Sequence, residues 1–558
     1  MLTNHQDSHD GVIIDYKRAS AHLEKRKTRY NDTYMANEVT VSKAPTTNIR
    51  ANVVINLIRT LTLTVLSFIT FPYITRALSD SVFGLYTWAN TFVYYFLVLS
   101  KISIPNIAIR ECAKVKDNKE LLSKKVQEFF ILQAIMTVLS FGFMSGIVFA
   151  VPALFETKEL IFLLSINFLA GAFSFEWVYI ALEKHVYITV RSIMLIAVAA
   201  MMTFAFVKPS ARSENYVFIY ALITISNTVF TAIFNCLLLP RYVSFKKTGK
   251  YEFKPLLKTL VVLFFISMAL IIYNQTDEFI LGFLDPTKAA VGAYSVGVKG
   301  IDIVITLITS LYMVFMPRAS YYYEKEDKRF FQNLVSYSLN ITFFIAIPAI
   351  ATMATLANPI TSLISGGDSV SAYRDANLVL PILALMMLTY SIADNIYYEI
   401  LLPMKKEKFY LFAMTLGVIM NIGLSLLLGM VAFRDRPILG VAIATASTDV
   451  VLVGTLLVFA KKYAVPAVFN LNNLKITLAG IAIGVFTYFV APILQGALPW
   501  VGDELWISQI LTLVIMVGAD AILYIGILLL CKEKLVSSFL PSRRKEREEY
   551  AKSQSEGE

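Results

Sequence analysis

Charge, histidine and cysteine are all scarce in this chain of 558 residues. Only 16% of its residues are charged, against about a quarter in a soluble globular domain, and the mean hydropathy is +0.63. That deficit excludes a string of soluble domains and points to a membrane protein. The three cysteines, Cys112, Cys236 and Cys531, are far apart and form neither a disulfide framework nor a metal-ligand cluster. Of the four histidines, His5, His9 and His22 fall in the N-terminal tail. His185 is left alone, which reads as an interface residue rather than a ligand or base. No phosphate-cradling loop, zinc spacing or nucleophile elbow occurs. The longest external loop, 357–375, has no histidine and two acidic residues, so an enzyme with an external catalytic loop is not expected.

What is present is apolar sequence, nearly continuous from residue 51 to 531. A membrane helix takes roughly 20 apolar residues. Breaks at charged or Pro/Gly-rich points give fourteen candidates: 51–77, 83–105, 128–154, 158–182, 186–207, 215–241, 255–284, 288–317, 334–356, 376–402, 406–432, 437–461, 474–497 and 508–531. Residues 1–50 are polar and lack the apolar core of a signal peptide. They read as a disordered cytoplasmic tail, within which Met35 is a second candidate start.

Most of the 50 basic residues fall in one alternate set of loops, including "RECAKVKDNKELLSKK", "RYVSFKKTGKYEFKPLLK", "MKKEK" and the tail "PSRRKER". Basic loops stay cytoplasmic, so both termini are expected there. A net charge of +10 then needs no nucleic acid, because anionic lipids of the inner leaflet are the partner.

Two stretches repeat. "SFITFPYITRALSDSVFGLY" (67–86) and "QTDEFILGFLDPTKAAVGAY" (275–294) share Phe71/Phe279, Gly84/Gly292 and Tyr86/Tyr294 at one constant offset. The following spans end at Pro105 and Pro317, and "TISN" (224–227) has a counterpart in "ASTD" (446–449). An offset of six spans preserves orientation, as in transporters built from two parallel halves with the site between them. The expectation is an all-α polytopic membrane protein of about 14 transmembrane helices: two parallel six-helix lobes around a central cavity, plus two C-terminal helices. The segments are a tail, 1–50; an N-lobe, 51–241; a C-lobe, 242–461; the two added spans, 462–531; and a cytoplasmic tail, 532–558.

The residues that carry this pattern resemble Wzx-type polysaccharide flippases of the MOP (multidrug, oligosaccharidyl-lipid, polysaccharide) superfamily. Phe71-Pro72-Tyr73, Arg76 and Phe83-Gly84-Leu85-Tyr86 match its opening motif, and Pro105 with Arg110-Glu111 its first basic turn. "FEWVYIALEKHVYITV" (175–190) is similar to its Glu-Trp segment, and "QTDEFILGFL" with "VGAYSVGVKG" to the start of its second half. The resemblance covers about residues 50 to 465. Two extra spans are a feature of the lipid II flippases of the same superfamily. It implies translocation of an undecaprenyl-diphosphate-linked oligosaccharide across the bacterial cytoplasmic membrane by alternating access, for cell-surface polysaccharide synthesis. Lipid II flipping and multidrug cation antiport are the alternatives.

Ionisable residues inside the spans carry the mechanism, since each costs about 2.5–3.5 kcal/mol at a helix centre. Asn52, Asn56 and Arg59 share one helical stripe, with Arg59 about 12 Å into the first span. Lys299 lies about 17 Å into the eighth. Two cations converging on a central cleft would suit a diphosphate, with Lys101 and Arg191 receiving the headgroup first. The plainer readings are that Lys299 pairs with Asp302 at i, i+3 and that Lys101 and Arg191 snorkel to the interface.

"IIYNQTDEFILGFL" (271–284) poses the opposite problem, two adjacent carboxylates in an apolar run. Asp277, Glu278, Asp302 and Asp449 are candidates for coupling to a proton or sodium gradient, with helix packing as the plain reading of Asp449. Adjacent residues diverge by about 100°, so Asp277 and Glu278 face different neighbours. No cofactor is expected.

Overall fold

The computed structural model describes residues 49–101, 103–208, 215–246, 251–365, 373–497 and 505–537. The chain divides into two units, Met1–Val54 and Ile55–Glu558. Of the first only the opening of a helix is described, and Met35 lies outside the described residues. The long helices are α1 (Ile49–Ala77), α2 (Asp80–Lys101), α3 (Lys119–Ala150), α4 (Lys158–Ala181), α5 (His185–Phe206), α6 (Tyr216–Leu238) and α7 (Lys254–Leu284). They continue with α8 (Ala289–Glu324), α9 (Lys328–Thr355), α10 (Ala376–Leu401), α11 (Glu407–Ala432), α12 (Pro437–Phe459), α13 (Leu471–Ala497) and α14 (Leu505–Leu530). Thirteen contain a stretch long and apolar enough to span a membrane; α7, 31 residues long, is the fourteenth. The described residues contain no strand.

Helix boundaries depart from the apolar runs where polar helix formers prolong them. Helix α3 starts at Lys119 rather than near 128, because the Asn118 side chain accepts from the backbone N–H of Glu120 and Leu121 and caps two orphan donors. Helix α8 continues through "PRASYYYE" to Glu324, past Pro317. Helix α4 is interrupted between Gly171 and Glu176, where Phe175 takes a left-handed φ of 44°. Helix α10 ends in a π-turn, Ile396–Leu401, a geometry that favours functional positions.

Fourteen passes return the chain to the face from which α1 starts; we call it the terminal face and the opposite one the far face. At the far face the two halves close on each other through their repeat-related residues. A Cβ on Gly84 of α2 would sit 1.8 Å from the carbonyl oxygen of Lys288, and one on Gly292 of α8 would sit 2.2 Å from that of Asp80. Asp80 and Lys288 stand at the same offset as the two glycines, so the contact is reciprocal. Only residues without a Cβ permit this approach.

Around that crossing the Trp88 indole N–H donates to Phe279 O at 3.1 Å, the Tyr373 hydroxyl to Leu78 O at 3.1 Å, and Thr75 to Ile364 O. One apolar core, including Trp88, Phe92, Leu281, Val291 and Tyr294, runs through both halves. Helix α1 behaves differently. Among its described side chains only Ile74, Thr75 and Ala77, at the far-face end, are buried.

Candidate functional site

Loose packing along most of α1 leaves a cleft between the halves. A cavity of about 330 Å³ is lined by Leu63, Thr64, Ser67 and Phe68 of α1, Ile196 of α5, and Lys299, Asp302 and Thr306 of α8. Lys299 and Asp302 are both in its wall, their charged ends 3.9 Å apart. The Lys299 ammonium also lies 5.9 Å from the Phe71 ring centroid, on the α1 face of the cleft, where a cation is attracted to the ring's negative face.

Arg59 is one turn of α1 nearer the terminal face than Leu63. It meets a partner invisible to local spacing: Nη2 is 3.1 Å from Glu176 Oε1, supplied by the segment that restarts α4 after its break. The other oxygen of Glu176 is 3.4 Å from Arg191 Nη2, and Lys101 also feels this carboxylate. Three cations therefore surround one anion. Arg59 and Glu176 keep about a quarter of their side-chain surface exposed, while Arg191 keeps 3%. The Nε atoms of both arginines are buried and meet no acceptor. Such donors favour a further anion, because an unpaired buried donor is costly.

Asn235, in the apolar α6, holds Arg191 in place and was not anticipated. Its Oδ1 accepts from Arg191 Nη1 and from the Tyr187 hydroxyl at 2.9 Å. Its Nδ2 donates to Ser174 O in the break of α4, and its own carbonyl accepts from Tyr179 at 2.6 Å. A fully buried asparagine amid Ile, Phe and Leu was the available signal, since it has to find partners.

Arg59, Arg191 and Lys101 thus converge on Glu176. Lys299 approaches the same α1 at Phe71, roughly 18 Å further along the helix than Arg59 by its rise per residue, so the two cations line successive levels of one wall rather than one point. The Asn56 side chain lies outside the described residues.

The carboxylates occupy the second half. Glu278 accepts from Thr91 of α2 at 2.9 Å and from Ser295 of α8 at 2.8 Å, which puts it on the contact between halves. Asp277 turns the other way. Its Oδ2 accepts from Tyr294 at 2.6 Å, Oδ1 has no donor, and Asn421 of α11 and Thr445 of α12 stand beside it. Asp449 accepts from Tyr273 and, at 3.2 Å, from Thr389. Glu399 in the π-turn of α10 accepts from Ser338 at 2.6 Å, and its second oxygen has no donor.

Among the described residues Asp277, Glu278, Asp394, Glu399 and Asp449 form no ion pair; they are held by hydroxyls and amides. These carboxylates all lie in α7–α12, whereas the arginines and Lys101 around Glu176 lie in α1–α5. The described residues hold no group of three or more His, Cys, Asp or Glu arranged for a metal ion.

The described fold is similar to that of solved transporters of the MOP superfamily. It is similar to the lipid II flippase MurJ in an inward closed conformation, with a TM-score of 0.66 and 18% identity over 87% of this chain and 100% of that one. It is also similar to an inward-facing multidrug resistance MATE family transporter of the MOP superfamily, with a TM-score of 0.56 and 14% identity over 73% of this chain and 95% of that one. Residues 49–323 match the family model described as polysaccharide biosynthesis protein, and residues 263–427 the MatE model. No curated protein matches the sequence. Sequence and fold are thus similar to those of flippases and drug transporters of the MOP superfamily, and thirteen of the described helices are long and apolar enough to cross a membrane.

Proposed function

We propose that this protein moves an undecaprenyl-diphosphate-linked oligosaccharide from the inner to the outer leaflet of the bacterial cytoplasmic membrane, with both termini in the cytoplasm. The observation that carries the reading is the Arg59–Glu176–Arg191 cluster with Lys101 beside it. Two guanidinium groups share one carboxylate, with Lys101 beside it, which leaves an excess of positive charge and two buried guanidinium N–H groups without an acceptor, one turn of α1 from the cleft. A diphosphate matches that charge, and guanidinium forks suit its oxygens. Lys299 of α8, opposite Phe71 further along α1, takes the phosphate as the halves rock, while the polyprenyl tail stays in lipid.

The unpaired carboxylates Asp277, Glu278 and Asp449 are the candidates for proton or sodium coupling, and Asp302 tunes Lys299. Asp277 is the strongest of these, with a buried, undonated oxygen beside Asn421 and Thr445. Alternating access then consists of opening the far-face crossing at Gly84 and Gly292 while the cleft along α1 closes.

Lipid II transport is the second reading and is favoured by the fold shared with MurJ over the whole of that chain. Cation antiport is the third, favoured by the MatE match over residues 263–427, which include the buried carboxylates Asp277 and Glu399. The test is purified protein in vesicles with lipid-linked oligosaccharide, reading headgroup accessibility to an external glycosidase. Headgroup movement lost in Arg59→Ala supports the proposal. Drug efflux without headgroup movement overturns it in favour of antiport.

A further inference from the structure

A second cavity lies away from the cleft, at the terminal face where α9, α13 and α14 meet. About 740 Å³ is enclosed by residues that include Asn340 of α9, Asn472 and Lys475 of α13, and Lys532 and Lys534 beyond α14. Its chemistry differs between mouth and floor. Lys532 and Lys534 are exposed at the mouth. Lys475 is half-buried, and its ammonium donates at 2.7 Å to Cys531 O at the end of α14, where the helix dipole favours a cation. On the floor, Asn340 is 9% exposed and its side-chain oxygen has no donor.

Glu533, between the two exposed lysines in sequence, is fully buried. It accepts from Asn472 and from the backbone N–H of Leu535 and Val536, so it fixes the turn without neutralising the lysines. Exposed apolar side chains adjoin the lining: Leu471, which lines the cavity, and Phe469, next but one before it, are each 70% exposed, and Leu530, two residues before Lys532, is 85% exposed.

We propose that this cavity binds a hydroxyl-bearing phosphate ester, presented as the headgroup of an anionic phospholipid in the leaflet at the terminal face. The lysines take the phosphate, a headgroup hydroxyl donates to Asn340, and the acyl chains lie along Phe469, Leu471 and Leu530. A zwitterionic choline headgroup lacks the hydroxyl and brings a repelled cation. None of these residues lines the α1–α8 cleft, so the assignment is independent of what the protein transports.

The test uses full-length protein in neutral detergent with dioctanoyl-phosphatidylglycerol, dioctanoyl-phosphatidylcholine and glycerol phosphate, reading affinity by calorimetry. Phosphatidylglycerol binds at least about tenfold tighter than phosphatidylcholine. The variant Lys475→Gln/Lys532→Gln/Lys534→Gln loses about fivefold per lysine, the ratio for one surface cation on an anionic headgroup. The charge-matched variant Lys325→Gln/Lys408→Gln/Lys461→Gln, on exposed lysines outside the cavity, keeps the affinity. Should the triple variant melt early, Lys534→Gln alone still weakens binding about fivefold. Equal loss in both triple variants, or no loss in the first, overturns the site. Glycerol phosphate binding as tightly as the lipid overturns the assignment to a membrane headgroup.

Discussion

Gly84→Ala offers the sharpest test of how the halves close. The new Cβ would stand 1.8 Å from Lys288 O, and ordinary carbon contacts need about 3.5 Å. The crossing has to widen by about 1.7 Å, because the opposing atom belongs to the backbone and cannot rotate away. Overpacking of this kind costs about 1–3 kcal/mol. The contact exists only while the far face is shut, so the penalty falls on that state and shifts the closed-to-open ratio by about 5–150-fold.

The reporter is Ala293→Cys, 3% exposed in the core between halves, in a background with Cys112, Cys236 and Cys531 replaced. Labelling by a membrane-impermeant maleimide from the far face should rise by that factor in Gly84→Ala, and similarly in Gly292→Ala. Gly142→Ala in α3, where a Cβ meets nothing within 4 Å, gains helix propensity alone and leaves labelling unchanged. Labelling within twofold of the parent in both Gly84→Ala and Gly84→Val would refute the gate.

Glu176→Gln should be more damaging than Arg59→Ala, because it strands the buried Arg191 charge. Glu176 is itself only half-buried, so the cost falls below the about 3–5 kcal/mol of a fully buried pair; it is read as a lower melting temperature in detergent, and equal melting of the two variants would contradict it. Asn235→Leu should release Arg191 and also the start of α4's second segment; loss of headgroup movement with normal insertion checks it. Asp277→Asn should abolish dependence of transport on a proton or sodium gradient in vesicles while preserving substrate binding. Trp88→Ala removes a fully buried side chain and its bond to Phe279 and should destabilise the protein by about 3–5 kcal/mol, measured by chemical denaturation.

The sequence by itself determined the membrane class, the number of helices and the parallel halves, because the bilayer imposes a fixed apolar length on every span and a repeat of even span number keeps its orientation. It also exposed Gly84 and Gly292 as equivalents, since both lie at one offset. It showed which charges needed an explanation, because the bilayer penalises each one wherever it lies in the fold.

Their partners were decided by tertiary structure alone. Arg59 has no acid within a helical turn, and its counterion comes from Glu176, set by a left-handed residue in the break of α4 that no apolar periodicity reveals. Arg191 reads locally as a snorkelling cation, yet Asn235 and Glu176 hold it buried. The far-face closure has the same origin: that two repeat-related glycines press on each other's helix starts depends on the crossing of α2 with α8. Spacing along a chain fixes which residues share a helix face, whereas which faces meet is a property of packing.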